Sequence, residues 1–261
     1  MAHFGRGLLV PKGPEPAATT EHQVPVAGGT IRVQAIHPHG QGPHPLHVFL
    51  HGGGWCVGTL HEREPRCREI SAGASCVVAS VDYRLAPDNQ YPTPPEDCYA
   101  ALCWLVDHAA ELGVDPSRVS IGGESAGGNL AAAVCLMSRD RGGPPIAFQW
   151  LDVPALDATL STEGHRNVPD GHLLDASAIE EYLDAYLPDR AAQVTEPYCS
   201  PLLAEDLTGL PPAHIVTCGF DKLRGDGEAY AKRLADAGVA ATHVRLDGHV
   251  HPSFAFTRRI E

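Results

Sequence analysis

Continuous apolar runs recur along the chain and alternate with stretches of helical periodicity. The runs are LHVFL (46–50), SCVVASV (75–81), RVSI (118–121), IAFQWLDV (146–153), HIVTC (214–218) and THVRL (242–246). Runs of this kind are typical of strands that are buried on both faces of a parallel sheet. Because helical patterns lie between most of them, the chain is expected to form right-handed crossovers. The pattern therefore predicts an α/β fold, with a mostly parallel twisted sheet and helices on both faces.

Two of the intervening segments show the clearest helical periodicity. Segment 94–112 repeats apolar residues on one face, with Thr93 as the predicted N-cap and Gly113 as the predicted terminator. Segment 226–237 shows the same periodicity and is closed by Gly238. Both segments are expected to pack one face against the sheet.

The remaining segments set the expected organisation of the domain. Two alternating stretches, HQVPVAG and TIRVQAI, predict a hairpin with a Gly28-Gly29 turn, and residues 1–30 are otherwise expected to be irregular and Pro-rich. Segment 155–190 is too long for a connection inside the sheet, so we expect a cap-like excursion over the carboxyl ends of the strands. With 261 residues, of which 43% are hydrophobic, the whole chain 1–261 is expected to form one domain.

Composition excludes several classes of partner. The formal charge of -13 would repel a phosphate backbone, so nucleic acid is not an expected partner. No apolar stretch approaches the length of a membrane span, and the first apolar run is too short for a signal peptide, so we expect a cytoplasmic protein without stable membrane insertion. The eight cysteines are scattered without a CxxC pair. Together with histidines that lie mostly in Pro/Gly-rich loop, they predict no disulfide framework and no metal site.

The stretch GESAG, Gly123-Glu124-Ser125-Ala126-Gly127, has the pattern G-x-S-x-G. A predicted strand leads directly into it, and an Ala-rich helical segment leads out of it. This strand, turn and helix is the setting in which the motif exposes a nucleophilic serine on a sharp turn. The helix N-terminus that follows favours developing negative charge. Ser125 is therefore the candidate nucleophile.

A serine hydroxyl needs a base to take its proton, and the base needs a carboxylate to fix its tautomer. Asp221 and His251 follow two later predicted strands, so both are expected at the same edge of the sheet as Ser125. The order Ser, Asp, His is one in which such triads occur. Asp226 remains an alternative acid and His249 an alternative base.

A second glycine-rich stretch, HGGG, follows the run at 46–50. Residues without side chains let backbone N–H groups approach a substrate oxygen closely. We therefore predict that the N–H groups of Gly52, Gly53 and Ala126 bind the oxyanion of a tetrahedral intermediate.

Together these motifs resemble the hormone-sensitive-lipase-like esterases, bacterial family IV of the α/β-hydrolases. The matching stretches are HGGGW (51–55), VDYRLAPDNQYPTPPED (81–97), DPSRVSIGGESAGGNLAA (115–132), SPLLAEDLTGLPPAHIVTCGFDKLRGDGEAYA (200–231) and DGHVH (247–251). The resemblance implies an α/β-hydrolase fold, with Ser125 as the nucleophile, Asp221 as the acid and His251 as the base. It also implies short- to medium-chain acyl esters as small-molecule substrates, and neither metal nor organic cofactor.

Three departures from the family pattern shape further expectations. The family usually carries two cap helices before the HGGG loop, whereas only 50 residues precede that loop here, so we expect a reduced cap. Pro252 follows His251 where the family usually has Gly-Phe, which keeps His249 open as the base. Relatives generally continue into a helix that covers the sheet, but this chain ends ten residues after His251. An apolar surface is then expected, and a homodimer through the last strand.

Two other functions are compatible with the same motifs. An amidase or arylformamidase uses the same triad and a similar glycine loop. A non-catalytic ligand-binding protein on the hydrolase fold, such as the gibberellin receptors, has lost the catalytic histidine, whereas all three triad positions are filled here. A serine carboxylesterase is the function that the sequence favours.

Overall fold

One eight-stranded sheet organises residues 12–253, which a computed structural model of the chain describes. Its strands are β1 (Ala18–Val26), β2 (Gly29–His37), β3 (His44–Leu50), β4 (Val77–Asp82), β5 (Val114–Glu124), β6 (Phe148–Asp152), β7 (Ala213–Phe220) and β8 (Ala241–Val250). Their order across the sheet is β1-β2-β4-β3-β5-β6-β7-β8. The pairs β1–β2 and β2–β4 are antiparallel, and the other five pairs are parallel. The predicted mostly parallel sheet is confirmed.

Helices cover both faces of this sheet. They are α1 (Leu60–Ala74), α2 (Thr93–Asp107), α3 (Ala109–Leu112), α4 (Ala126–Arg141), α5 (Glu163–Asn167), α6 (Ala176–Tyr186), α7 (Arg190–Gln193) and α8 (Arg224–Asp236). Helix α1 packs Cys67 and Ile70 on the face that carries Phe49. The opposite face carries Val48 in a larger core shared with α2, α4 and α8. Within residues 12–253, no helix is long and apolar enough to cross a membrane.

Helix α4 lies in the middle of the larger core and is buried along almost its whole length. Its sequence, AGGNLAAAVCLMSRDR, is apolar on almost every side up to Ser138, and Asn129 is the polar exception. A helix without a polar face gains no stabilisation from solvent and is therefore found inside a fold. This burial fixes the position of its first turn, which follows Ser125 directly.

The hairpin corrects the expectation for the N-terminal segment. Residues 1–30 were expected to be irregular apart from a short hairpin, but β1 already begins at Ala18 and pairs with β2 from Ala18 opposite His37 onward. Pro25 is accommodated because β1 is the edge strand of the sheet. The turn is formed by Ala27 and Gly28 instead of Gly28-Gly29, and Gly28 has a φ of 79°. Residues 1–11 lie outside the described residues.

The predicted helix 94–112 is present but differs at its start and near its end. It begins at Thr93, so the N-cap position belongs to Pro92 and the predicted capping by Thr93 is wrong. A break at His108 separates α2 from α3, because His108 has φ −101° and its Nδ1 lies 2.8 Å from the Trp104 carbonyl oxygen. Side chains that bond nearby backbone in this way compete with regular helix.

Segment 155–190 leaves the sheet after β6 and carries α5 and α6 before the chain returns to β7. Helix α6 buries Ile179, Leu183 and Tyr186 along one side. This apolar stripe matches the amphipathic pattern in the sequence. The segment is therefore a long excursion between the neighbouring strands β6 and β7 that packs on the rest of the domain through α6.

Candidate active site

Ser125 is the single residue between β5 and α4. Its φ is 56° and its ψ is −119°, a backbone conformation that L-residues rarely adopt. The Ser125 N–H donates to the Asp152 carbonyl oxygen over 2.8 Å, and its own carbonyl accepts from Asn129 N–H over 3.0 Å. These bonds hold the sharp turn at the carboxyl end of the central strands. Strain that is held in this way is characteristic of functional turns.

The glycines on both sides of Ser125 are required by close backbone contacts. A Cβ atom on Gly123 would lie 2.3 Å from the Leu50 carbonyl oxygen, and one on Gly127 would lie 2.0 Å from the same atom. Real Cβ atoms do not approach other heavy atoms so closely. The turn, the start of α4 and the end of β3 therefore share a space that admits no side chain at either position.

Ser125, His251 and Asp221 form one continuous chain of hydrogen bonds. His251 Nε2 lies 3.0 Å from Ser125 Oγ, and His251 Nδ1 lies 2.7 Å from Asp221 Oδ2. Asp221 Oδ1 also accepts the Leu223 N–H over 2.9 Å. Both the histidine and the aspartate are buried. Because an ionised carboxylate only accepts hydrogen bonds, Nδ1 carries the proton and Nε2 offers its lone pair to the serine hydroxyl.

The two alternative residues have other partners. His249 Nδ1 lies 3.0 Å from Ser253 Oγ, away from the serine at position 125. Asp226 is fully buried and accepts the N–H groups of Leu156 and Asp157 and the Thr162 hydroxyl. Asp226 therefore fastens the start of segment 155–190 to α8.

The HGGGW loop (residues 51–55) runs directly beside the serine turn. A Cβ on Gly52 would lie 2.9 Å from the Glu124 carbonyl oxygen, and Gly53 has a φ of 131°. The Gly53 carbonyl accepts the N–H groups of Cys56 and Val57, which closes a tight turn. Within the described part of the chain, no protein acceptor takes the backbone N–H of Gly52, Gly53 or Ala126. These three donors remain available to a ligand.

His51, the first residue of this loop, anchors it against Tyr83. Its ring stacks on Tyr83 at a centroid distance of 4.3 Å, and its Nδ1 lies 2.9 Å from the Gly52 carbonyl oxygen. The Tyr83 hydroxyl donates to the His51 carbonyl oxygen over 2.8 Å. Burial lowers the pKa of His51, which favours a neutral ring. His51 thus holds backbone in place and is separate from the triad.

Sequence reasoning missed two residues that join the loop to the serine turn. The Trp55 indole N–H donates to Asn129 Oδ1 over 3.3 Å, and the Asn129 amide donates to the Cys199 carbonyl oxygen over 2.8 Å. Asn129 lies one helical turn after Ser125 and is fully buried. A tryptophan directly after HGGG and an asparagine directly after GESAGG are the signals in the sequence that point to this contact.

Charged groups from α1 lie next to the serine turn. The buried Glu124 carboxylate pairs with the Arg63 guanidinium. Arg66 lies 3.6 Å from Asp152 Oδ2 and over the Trp150 ring at 5.1 Å from its centroid. Burial raises the pKa of Asp152 to about 6, although Arg66 opposes the shift. Helix α1 therefore supplies the positive charge that faces two carboxylates at the ends of β5 and β6.

The chain is similar in sequence to known proteins. The sequence model of a family described as alpha/beta hydrolase fold matches residues 47–255. The chain belongs to the α/β-hydrolases. This α/β-hydrolase is 44% identical over 226 residues to the carboxylic ester hydrolase LipN of Mycobacterium tuberculosis, covering 85% of this chain and 60% of LipN. It is 36% identical to an arylesterase of Saccharolobus solfataricus, covering 93% of this chain and 78% of the relative.

A solved structure extends the likeness to three dimensions. The carboxylesterase EstE1, cloned from a metagenomic library, superposes with a TM-score of 0.93 at 38% identity, covering 98% of this chain and 87% of EstE1. The resemblance to hormone-sensitive-lipase-like esterases is confirmed by these relatives. This α/β-hydrolase spans 60% of the length of LipN and 62% of that of the carboxylesterase NlhH, also from Mycobacterium tuberculosis.

Proposed function

We propose that the protein is a serine carboxylesterase that forms an acyl-enzyme on Ser125. The observation that carries this proposal is the unbroken hydrogen-bond chain from Ser125 Oγ through His251 to Asp221. Relatives at 36% to 44% identity include an arylesterase and a carboxylic ester hydrolase, which supports the same reaction class.

In the first step, Ser125 Oγ attacks the ester carbonyl carbon while His251 Nε2 takes the hydroxyl proton. Asp221 then faces a protonated imidazole at 2.7 Å and stabilises its charge. The C–O bond of the ester breaks, and His251 returns the proton to the departing alcohol. The product on the enzyme is an acyl ester of Ser125.

The carbonyl oxygen becomes negative during the attack. We infer that the N–H groups of Gly52, Gly53 and Ala126 bind it, because they lie in two backbones that meet beside Ser125 and have no acceptor among the described residues. The N-terminus of α4 adds a favourable field at this position. Donors that are fixed before the reaction stabilise such charge without reorganisation.

Water completes the cycle by the same route. His251 takes a proton from water, the hydroxide attacks the acyl carbon, and Ser125 leaves with that proton. We propose neutral acyl esters of short to medium length as substrates, by analogy with the family.

Hydrolysis of p-nitrophenyl esters, from acetate to dodecanoate, tests this function. We expect a burst of nitrophenol and an optimum among the shorter chains, with Ser125→Ala reducing kcat by at least about a thousandfold. A matched anilide tests the amidase alternative, since comparable turnover of ester and anilide would favour an amidase. If the protein binds ligands but shows no turnover that depends on Ser125, the esterase proposal is overturned.

We propose in addition that two copies pair through β8. Among the described strands, β8 forms the edge opposite β1, and most of its residues are exposed, including Val244 at 43%. Unpaired strand edges offer backbone groups to a second strand. Sedimentation velocity over a range of concentrations is expected to show a dimer, and a monomer throughout would contradict the pairing.

We propose the cytoplasm as the compartment in which the enzyme works. All eight cysteines are free thiols, and burial raises the pKa of several of them, including Cys67 and Cys135. Thiols of this kind persist in a reducing compartment. Fractionation of the source cells, with the activity recovered outside the cytosolic fraction, would contradict this assignment.

A further inference from the structure

The HGGGW loop passes through three consecutive residues with positive φ, Gly53 at 131°, Gly54 at 57° and Trp55 at 59°. An aromatic L-residue in this region is strained, so its surroundings must hold it there. The Trp55 carbonyl accepts the Ala86 N–H over 2.9 Å, and its indole N–H donates to Asn129. These two bonds fix the backbone and one edge of the ring.

The third contact comes from segment 155–190. The Trp55 ring stacks on the ring of Tyr186 in α6, with a centroid distance of 4.4 Å and an interplanar angle of 2°. Tyr91 meets Tyr186 edge-on at 5.7 Å, and the Tyr91 N–H donates to the Tyr186 carbonyl oxygen over 2.9 Å. All three rings are buried. Stacked and edge-on aromatic pairs add stabilisation beyond that of buried area.

The preceding turn of α6 touches the neighbouring residue of the loop. A Cβ on Gly54 would lie 2.3 Å from the ring of Tyr182. Helix α6 therefore packs against both Gly54 and Trp55. Gly54 is the residue type that leaves room for this ring and adopts the required φ.

We propose that Tyr186 is a positioning residue for ester hydrolysis, which holds the HGGGW loop in the shape that presents its N–H groups to the oxyanion. This inference rests on the proposed function. Trp55 links the loop to Asn129, whose N–H donates to the Ser125 carbonyl, so the loop and the nucleophile share one support. Segment 155–190 would thus help to shape the oxyanion loop through Tyr186.

The geometry assigns this role to the ring of Tyr186 and not to its hydroxyl. The hydroxyl oxygen is buried and has no hydrogen-bond partner within residues 12–253. Phenylalanine keeps the stacking surface, so Tyr186→Phe is expected to preserve the shape of the loop. Leucine and methionine fill part of this space with apolar atoms but offer no planar face to Trp55.

The test compares Tyr186→Leu and Tyr186→Phe with Leu183→Ala, a loss of buried volume on the same helix. Oxyanion donors act on the transition state, so Tyr186→Leu is expected to lower kcat by about tenfold to a hundredfold with KM nearly unchanged. Affinity for a trifluoromethyl ketone inhibitor should fall in proportion to kcat/KM. Tyr186→Phe should recover most of kcat, and Leu183→Ala should lower thermal stability without this kinetic signature.

Wild-type protein and Ser125→Ala are measured beside these variants. Wild-type hydrolysis with an unchanged kcat in Tyr186→Leu, or an equal loss of kcat in Leu183→Ala, would overturn the positioning role alone. Absence of hydrolysis by the wild type would overturn the proposed function. If Tyr186→Leu does not fold, Tyr186→Met replaces it, with the same expected loss of kcat and the same result overturning the role.

Discussion

Two histidines that lie two positions apart near the end of β8 have different partners. His251 meets both Ser125 and Asp221, whereas His249 meets Ser253. Successive side chains of a strand alternate in direction, but residues two apart share a face, so alternation alone does not separate these two histidines. The turn that follows Val250 is what sends His251 toward the serine.

Alanine at each histidine separates their roles. His251→Ala removes the base and is expected to lower kcat by at least about a thousandfold, while His249→Ala should leave kcat within about threefold of the wild type. Hydrolysis of p-nitrophenyl acetate by the two purified variants provides the measurement. Equal losses would show that the hydrogen bond from His249 to Ser253 is needed to shape the turn.

The residues of the triad were predictable because each follows the carboxyl end of a strand, and parallel strands bring those ends to one edge. Spacing along the chain did not decide between His249 and His251, or between Asp221 and Asp226. That choice depends on side-chain direction in two irregular turns. Trp55 and Asn129 were missed because neither type of side chain is expected to act on an ester, and their contact spans 74 positions of sequence.

At the scale of elements, the contact between β3 and the first turn of α4 sets the position of the site. The Leu50 carbonyl oxygen lies where a Cβ on either Gly123 or Gly127 would be. Helix and strand are therefore closer here than side chains allow. The apolar pattern predicted both elements, but only the glycines indicated how closely they approach.

Substitution of Gly127 measures the importance of this approach. Gly127→Ala is expected to lower the free energy of unfolding by about 3 kcal/mol or more, because its Cβ would overlap backbone that has no room to move. Gly73→Ala is the matched control, since nothing lies within 4 Å of its added Cβ in α1. This control should gain about 0.5 to 1 kcal/mol. Urea denaturation of both variants gives the comparison, and a small loss at Gly127 would contradict the packing.

Elements with continuous apolar sequence were predicted well, and the errors lie where local side chains decide. The strands at 46–50 and 214–218 fall inside β3 and β7. The break at His108 depends on a bond from its ring to the Trp104 carbonyl, which periodicity does not contain. The start of β1 at Ala18 was missed because its polar, exposed residues show no apolar alternation until Val24.

For the whole molecule, two buried groups act in opposite directions on the pH dependence of stability. Burial raises the pKa of Asp152 to about 6 and lowers the pKa of His47 to about 4. Between pH 4 and 6, native Asp152 holds a proton that the unfolded chain has lost, so its contribution to stability falls as pH rises. Native His47 lacks a proton that the unfolded chain holds between pH 4 and 6.5, so its contribution rises. Each group changes the free energy of unfolding by about 3 kcal/mol over its pH range, and the two changes largely cancel.

Replacing either residue should reveal the pH dependence of stability that the other contributes. Asp152→Asn is expected to show a free energy of unfolding that rises more steeply between pH 4 and 6.5 than that of the wild type. His47→Gln is expected to shift the slope in the opposite direction. Guanidinium denaturation at a series of pH values measures both slopes. Parallel curves for all three proteins would contradict the cancellation.

The position of β8 at one edge of the sheet affects when the site is assembled during folding. From the centre of the sheet outward, β5, β6, β7 and β8 lie in the same order as along the chain. Ser125 follows β5 at the centre of the sheet, and His251 follows β8, 126 positions later. Pairing over such separations is slow, because loop closure precedes the contacts that reward it. A chain that had formed its core but not docked β8 would hold the proposed nucleophile without its base, so we expect the nascent protein to hydrolyse no ester until β8 is in place.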